Sequence, residues 1–305
     1  MKKILLGLHG GASADGAVHI ARQLASQIGA SIEAVAVLQP PTVVDYGYGP
    51  VYVPDPSTEA ELEEQLRVDA MRQLARCDLD GAKLTVLEGQ RTSSLLDAAA
   101  ACSGDLIVVG MGPHEFADRT LGGETALHLA QRAATPVLAV PARMRRLARR
   151  ILVAVDFSPS SLAAARLAAS LLTTGGTLEL AHVTAAMQIG SVALGPVPRA
   201  EAEHRMEEFA AQVTLPDGVQ LLTRVFGGDA ARTLLEVATQ TKADIIALGS
   251  HGYNFWQRVL LGSVSSKVLR LAECAVLVYP SRCVAAHQKT DHLQRSSVSM
   301  VCPVP

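Results

Sequence analysis

Late in the chain, glycines and hydroxyls are spaced as a phosphate cradle requires. Gly249, Gly252 and Gly262 frame the segment 249–265, and Ser263 and Ser265 follow the last glycine. Glycine lets a backbone turn tightly and approach a ligand closely. Free N–H groups and the dipole at a helix start favour an anion. The same residues would also make a plain strand-to-loop turn followed by a serine cap. No Gly-Lys-Ser/Thr follows, so this is not a P-loop. No G-x-G-x-x-G follows the first apolar run, which argues against a standard dinucleotide site. Asp156 ends the apolar run 151–155. Its carboxylate could accept from an adenine amino group or a ribose hydroxyl, or hold a metal such as Mg2+ through water. As a turn residue before Ser158 and Pro159 it needs no ligand. His251 and Arg258 lie in the same loop, either as ligand contacts or as backbone-bonded and solvated side chains. No catalytic set and no metal-ligand set is assigned; His114-Glu115 lacks the second His of a zinc-protease helix.

These residues need strands and helices to position them, and the chain supplies them by duplication. Ile4-Leu5-Leu6-Gly7-Leu8-His9 matches Ile151-Leu152-Val153-Ala154-Val155-Asp156. Asp105-Leu106-Ile107-Val108-Val109-Gly110 matches Asp244-Ile245-Ile246-Ala247-Leu248-Gly249, and Pro136-Val137-Leu138-Ala139-Val140-Pro141 matches Ala275-Val276-Leu277-Val278-Tyr279-Pro280 in outline. Matches in one order mean a tandem repeat. The continuous apolar runs read as strands buried on both faces, and helical spacing fills the stretches between. In the second half the pattern predicts strands at 151–155, 177–183, 220–225, 245–248 and 275–278. It predicts helices at 158–172, 201–212, 229–239 and 263–271, with a loop at 185–198. The first half follows suit, with a longer loop at 39–56. Strands alternating with helices imply tandem doubly wound parallel sheets, each five-stranded and flanked by helices. The expected domains are 1–142 and 149–281, joined by a linker at 143–148, with a flexible polar tail at 282–305. In such sheets ligands sit beyond the carboxyl ends of the strands where their order reverses. Asp156 and Gly249 face one crevice if the first strand neighbours the fourth.

Read at Gly249, Gly252, Gly262 and Ser263, the spacing Gly-x2-Gly-x9-Gly-Ser resembles the ATP-binding motif of the universal stress protein family. Val155, Asp156 and Ser158 resemble the start of such a domain, and Leu180, His182 and Val183 the end of its second strand. The resemblance covers nearly all of 1–141 and 149–280. It implies an adenine nucleotide alpha hydrolase-like, Rossmann-like fold that binds ATP and pairs with a second copy. It also implies that Asp156, Val183, Gly249, Gly252, Gly262, Ser263 and Val264 contact the nucleotide, with Ser265 a further candidate. Val183 would line the adenine pocket, while Gly252, Gly262, Ser263 and Val264 would hold phosphates. The first half departs from this pattern. Pro113 stands in place of Gly252, Glu124 in place of Ser263, and His9 in place of Asp156. Proline has no N–H to offer, and a carboxylate repels phosphate. One ATP per chain, held by the second half, is the expectation.

The composition narrows the partners. Net charge is −2 and the aromatic share is 4%. Neither a nucleic-acid surface nor a base-stacking platform is indicated. The basic run 143–150 falls in the expected linker. No apolar run reaches membrane-spanning length. The five cysteines form no C-x-x-C pair, and the first residues lack the pattern of a secretory signal, so a cytoplasmic protein is expected. The reading is a nucleotide-dependent sensor or interaction module of the stress response with an unknown protein partner. The segments 135–140 and 275–278 are expected to pair as an intramolecular pseudo-dimer, with a further homodimer open. The alternatives are a slow ATP hydrolase, marked by turnover lost in Asp156→Ala or His251→Ala, and a partner-binding protein without nucleotide.

Overall fold

In the computed structural model, an aspartate ties the start of each half's first strand to the fourth. Asp105 Oδ2 accepts the N–H groups of Lys2 (2.6 Å) and Lys3 (3.0 Å). Asp244 Oδ2 accepts those of Arg149 (2.8 Å) and Arg150 (2.9 Å). The backbone returns the bond, Asp105 N–H to Lys3 O at 2.9 Å and Asp244 N–H to Arg150 O at 2.8 Å. Burial pushes the Asp105 carboxyl upward, but the Lys2 and Lys3 N–H donors and the nearby positive charge hold it below the usual carboxylate range. The residues described are 1–39, 56–112, 123–184, 187–189, 192–194, 199–250 and 261–283.

The chain divides into two compact units whose main parts are Met1–Arg132 and Arg149–Lys267. The first half runs β1 (Lys3–Leu8), α1 (Asp15–Ile28), β2 (Ser31–Leu38), α2 (Pro56–Arg76), β3 (Lys83–Glu88), α3 (Arg91–Ala101), β4 (Leu106–Met111), α4 (Gly123–Arg132) and β5 (Val137–Pro141). Its strands lie in the order β3-β2-β1-β4-β5, with every neighbouring pair parallel. The core is the doubly buried apolar runs, Ile4, Leu5, Leu6 and Leu106, Ile107, Val108 all at 0% exposure. Val18, Ala21, Leu24 and Ala25 make the buried stripe of α1 at helical spacing. Gly29, in the left-handed region at φ 66°, ends that helix.

The second half repeats the plan: β6 (Ala148–Val155), α5 (Pro159–Leu171), β7 (Leu172–Thr184), α6 (Arg199–Ala210), β10 (Gln220–Gly227), α7 (Ala230–Thr241), β11 (Ile245–Gly249), α8 (Ser263–Leu271) and β12 (Ala275–Tyr279). Its strand order is β10-β7-β6-β11-β12. The expected loop at 185–198 is more structured than its Gly and Pro content suggested. Within it β8 (Met187–Ile189) pairs antiparallel with β9 (Val192–Leu194). The sheet topology is the expected one: each first strand lies beside its fourth. The tail from residue 284, the long loop 40–55, and Gly252, His251, Arg258, His114 and Pro113 lie outside the described residues.

Two side chains cap helix starts in the second half. Ser158 caps α5, its hydroxyl accepting the Ser161 N–H, with Pro159 at the first helical position. Asp229 caps α7 by accepting the Arg232 N–H. In the first half Gln90 precedes α3 without a side-chain cap. The strand-start clasp is the more general device. Asp244→Ala should cost about 2 kcal/mol, since two charge-assisted bonds to backbone N–H groups disappear together. Urea denaturation of wild type and variant checks it, and an unchanged midpoint would show the clasp to be idle.

Candidate functional site

In the second half β6 and β11 lie side by side, and the crevice is expected beyond their carboxyl ends. Their register pairs Ile245 with Ile151, Ile246 with Leu152 and Ala247 with Val153. Carried on, it sets Gly249 level with Val155, one residue before Asp156. Here the strand order reverses, which is where doubly wound sheets bind ligands.

Gly249 has a structural reason to be glycine. A Cβ there would meet Ser160 Oγ at 2.5 Å and Ser160 Cβ at 3.0 Å. Helix α5 is built of small residues on that side (Ala164, Ala165 and Ala168 are wholly buried) and so comes down tightly on β11. Gly110 repeats the arrangement against Ala14, whose Cα lies 2.8 Å from the position of a Cβ. Beyond Gly249 the chain is fastened to the start of α8. The Gly262 N–H donates to Ser250 O (2.8 Å), and the Ser265 hydroxyl donates to Gly249 O (2.8 Å). Ser265 is buried at 5% exposure, so its hydroxyl works inside the fold. Ser263 is exposed and Val264 half-buried in the first turn of the same helix. The first N–H groups of a helix have no acceptor within it. Gly262 is different, because its N–H is already engaged.

Asp156 forms the turn on the other side. Its Oδ1 accepts the Ser158 N–H at 2.9 Å, leaving Oδ2 outside that bond. Phe157 follows with φ at 62°, a left-handed conformation that is costly for a bulky residue. Its surroundings hold it there. The ring lies 4.5 Å from that of His182 and meets Phe209 edge-on at 6.2 Å, and the Arg205 guanidinium covers it at 4.1 Å. His182 Nδ1 donates to Val155 O at 2.7 Å, because a carbonyl can only accept. Neither the strained Phe157 nor the Arg205 cover was read from the sequence. A left-handed aromatic residue leaves no compositional signal. Val183, half-buried, follows His182 near the end of β7 and pairs in register with Phe226.

The first half builds the same turn from other residues. His9 Nδ1 accepts the Gly11 N–H at 3.0 Å, as the Asp156 carboxylate does in the second half. Gly10, at φ 78°, takes the place of Phe157, and a Cβ there would lie 2.7 Å from Asp69 Cβ. With Nδ1 accepting, the neutral ring carries its proton on Nε2, which donates to Ser13 Oγ at 2.8 Å. This tautomer cannot take a proton from Ser13, so the pair is no activated nucleophile. Glu124 stands in the first turn of α4, where Ser263 stands in α8.

The fold and its crevice define a tandem, doubly wound α/β protein with strand order reversed beside the first strand of each half. The model of the universal stress protein family matches residues 1–141 and 148–280. A universal stress protein of Mycolicibacterium smegmatis is 30% identical over 294 residues, covering 92% of this chain and 97% of its own. The crystal structure of a universal stress protein from Archaeoglobus fulgidus superposes with a TM-score of 0.66 at 20% identity, covering 91% of this chain and 98% of that one. A Pseudomonas aeruginosa structure gives 0.60 at 16% identity, over 94% of this chain and 95% of its own. This chain belongs to the universal stress protein family.

The surrounding protein holds the His9 pKa below its ordinary value of 6.5, chiefly by desolvation, with Arg91 adding to the effect. As pH falls below that value, the unfolded chain takes up the proton more readily than the folded one, so stability declines. His9→Asn keeps an acceptor for the Gly11 N–H but cannot titrate. It should make the acid side of a Tm-against-pH curve shallower, while His19, lowered mainly by burial, keeps its own share. Identical curves for the two proteins would refute this.

Proposed function

We propose that the second half binds an adenine nucleotide, ATP with Mg2+, and that the chain works as a nucleotide-dependent module of the stress response. The observation that carries this reading is the meeting of three features at one switch point. They are the Asp156 turn, the glycine end of β11, and the start of α8 fastened against it. In this reading the N–H groups of Ser263 and Val264 and the Ser263 hydroxyl face the phosphates, with Gly252 approaching from the loop. Gly249, Gly262 and Ser265 shape the cradle from behind. Asp156 Oδ2 accepts from the base or ribose, and Val183 lies against the adenine. Mg2+ would be held chiefly by phosphate oxygens and water. When bound, the nucleotide supplies charge and shape to a protein partner; the chain's residues hold it and exclude water from one side.

The residues fit this ligand for a physical reason. A triphosphate needs N–H donors that nothing else has claimed, and a helix start provides them with a favourable dipole. The first half offers Glu124 in that place, a carboxylate that suits a helix start but opposes phosphate. We therefore expect one ATP per chain by titration calorimetry, and ATP in the supernatant when the purified protein is denatured and chromatographed. Two equivalent sites would refute the assignment to the second half.

Ser263→Glu copies the first half into the second. It should leave the fold intact, because an acidic first turn suits the helix dipole. ATP affinity should fall at least roughly tenfold, about 1.4 kcal/mol, while adenosine, which has no phosphate, loses little. Full ATP affinity in a folded Ser263→Glu protein would move the phosphates away from this helix.

A further inference from the structure

Ser250 stands at the junction of three segments. Its N–H donates to Tyr279 O at 2.9 Å, and its carbonyl accepts the Gly262 N–H at 2.8 Å. Its hydroxyl oxygen accepts the Ser281 N–H at 2.9 Å and shares a further bond with Ser281 Oγ at 3.1 Å. The residue is 3% exposed. Through its backbone it is tied to Gly262, the residue before α8, and to the end of β12. Through its side chain it is held by the turn after β12. The first half differs at this position: Met111 follows Gly110 where Ser250 follows Gly249, and it has no hydroxyl to offer.

We infer that Ser250 is a positioning residue for the start of α8, and that the turn beginning at Pro280 is its anchor. The inference rests on the nucleotide reading and deepens it. A buried hydroxyl that accepts a backbone N–H fixes the peptide on either side of it. Here those peptides carry the carbonyl that binds Gly262, immediately before the helix start assigned to the phosphates. The turn after β12 is thereby coupled to the start of α8. Any partner that displaces that turn would loosen the cradle, and a bound triphosphate would steady the turn in return, because coupling between two sites is reciprocal.

The test uses the full chain and the variants Ser250→Ala, Ser281→Pro and Ser281→Ala. Ser281→Pro removes the N–H at the first position of a helical turn, where the proline ring is tolerated. Ser281→Ala keeps that N–H. Affinities for ATP and adenosine are measured by calorimetry, and the exchange rate of the Gly262 amide is measured by NMR without ligand. Ser250→Ala and Ser281→Pro should each weaken ATP binding roughly five- to tenfold and speed Gly262 exchange, with adenosine affinity kept. Ser281→Ala should stay near wild type. The double variant should be no worse than either single one, because both remove the same pair of bonds between Ser250 and Ser281. Wild-type ATP affinity in Ser250→Ala, equal losses for ATP and adenosine, or losses that multiply in the double variant would overturn the inference. If the wild-type chain takes up no ATP, the nucleotide reading fails. Gly262 exchange then decides the clasp alone, unchanged rates in Ser250→Ala sinking it.

Discussion

The close descent of the first helix of each half onto the fourth strand governs everything around the crevice. At Gly249 the approach leaves 2.5 Å between Ser160 Oγ and the place of a Cβ, and at Gly110 it leaves 2.8 Å to Ala14 Cα. Protein interiors are packed too tightly to absorb a methyl at that distance without moving a helix. The first and fourth strands can therefore stand side by side with a helix start over their ends. The first glycine of the motif thus serves packing before it serves any ligand.

Around that shared constraint the halves have diverged in what fills the first turn. In the second half an aromatic group packs there: Phe157 against His182 and Phe209, covered by Arg205. In the first half Gly10 removes the ring, and polar contacts occupy the neighbouring space. Gln73 Nε2 donates to Gly11 O at 2.8 Å and to Asp15 Oδ1 at 3.0 Å, with Gln73 fully buried. The backbone bond across the turn survives the exchange, with an imidazole nitrogen in place of a carboxylate oxygen. What changes is charge. In the second half a carboxylate oxygen accepts the turn's N–H, and in the first an imidazole with both nitrogens engaged does so. A duplicated fold can thus keep its turn while altering the chemical group that closes it.

The sequence by itself determined the duplication, the alternation of strands and helices, and the family. Each follows from local periodicity: apolar runs long enough for doubly buried strands, and helical spacing between them. Helix starts were legible wherever a side chain makes the cap, as at Ser158. The prediction of helix 263–271 matches α8, and the fourth strand lacked only its terminal glycine, which ends β11. The short β8–β9 hairpin was missed because strands of three residues are too brief to show a period.

Tertiary structure decided the rest, because it depends on residues far apart in sequence meeting at fixed distances. The spacing of Gly249, Gly262 and Ser265 suggested ligand contacts for all of them. Only the fold showed that the Gly262 N–H and the Ser265 hydroxyl are engaged internally, while Ser263 stands exposed. The role of Ser250 needed the turn after β12 to come back beside it, across 31 residues of chain. Phe157 reads as an ordinary apolar residue until its backbone angle is known. Sequence pattern records what one element needs; which donors remain unclaimed is a property of the assembled structure.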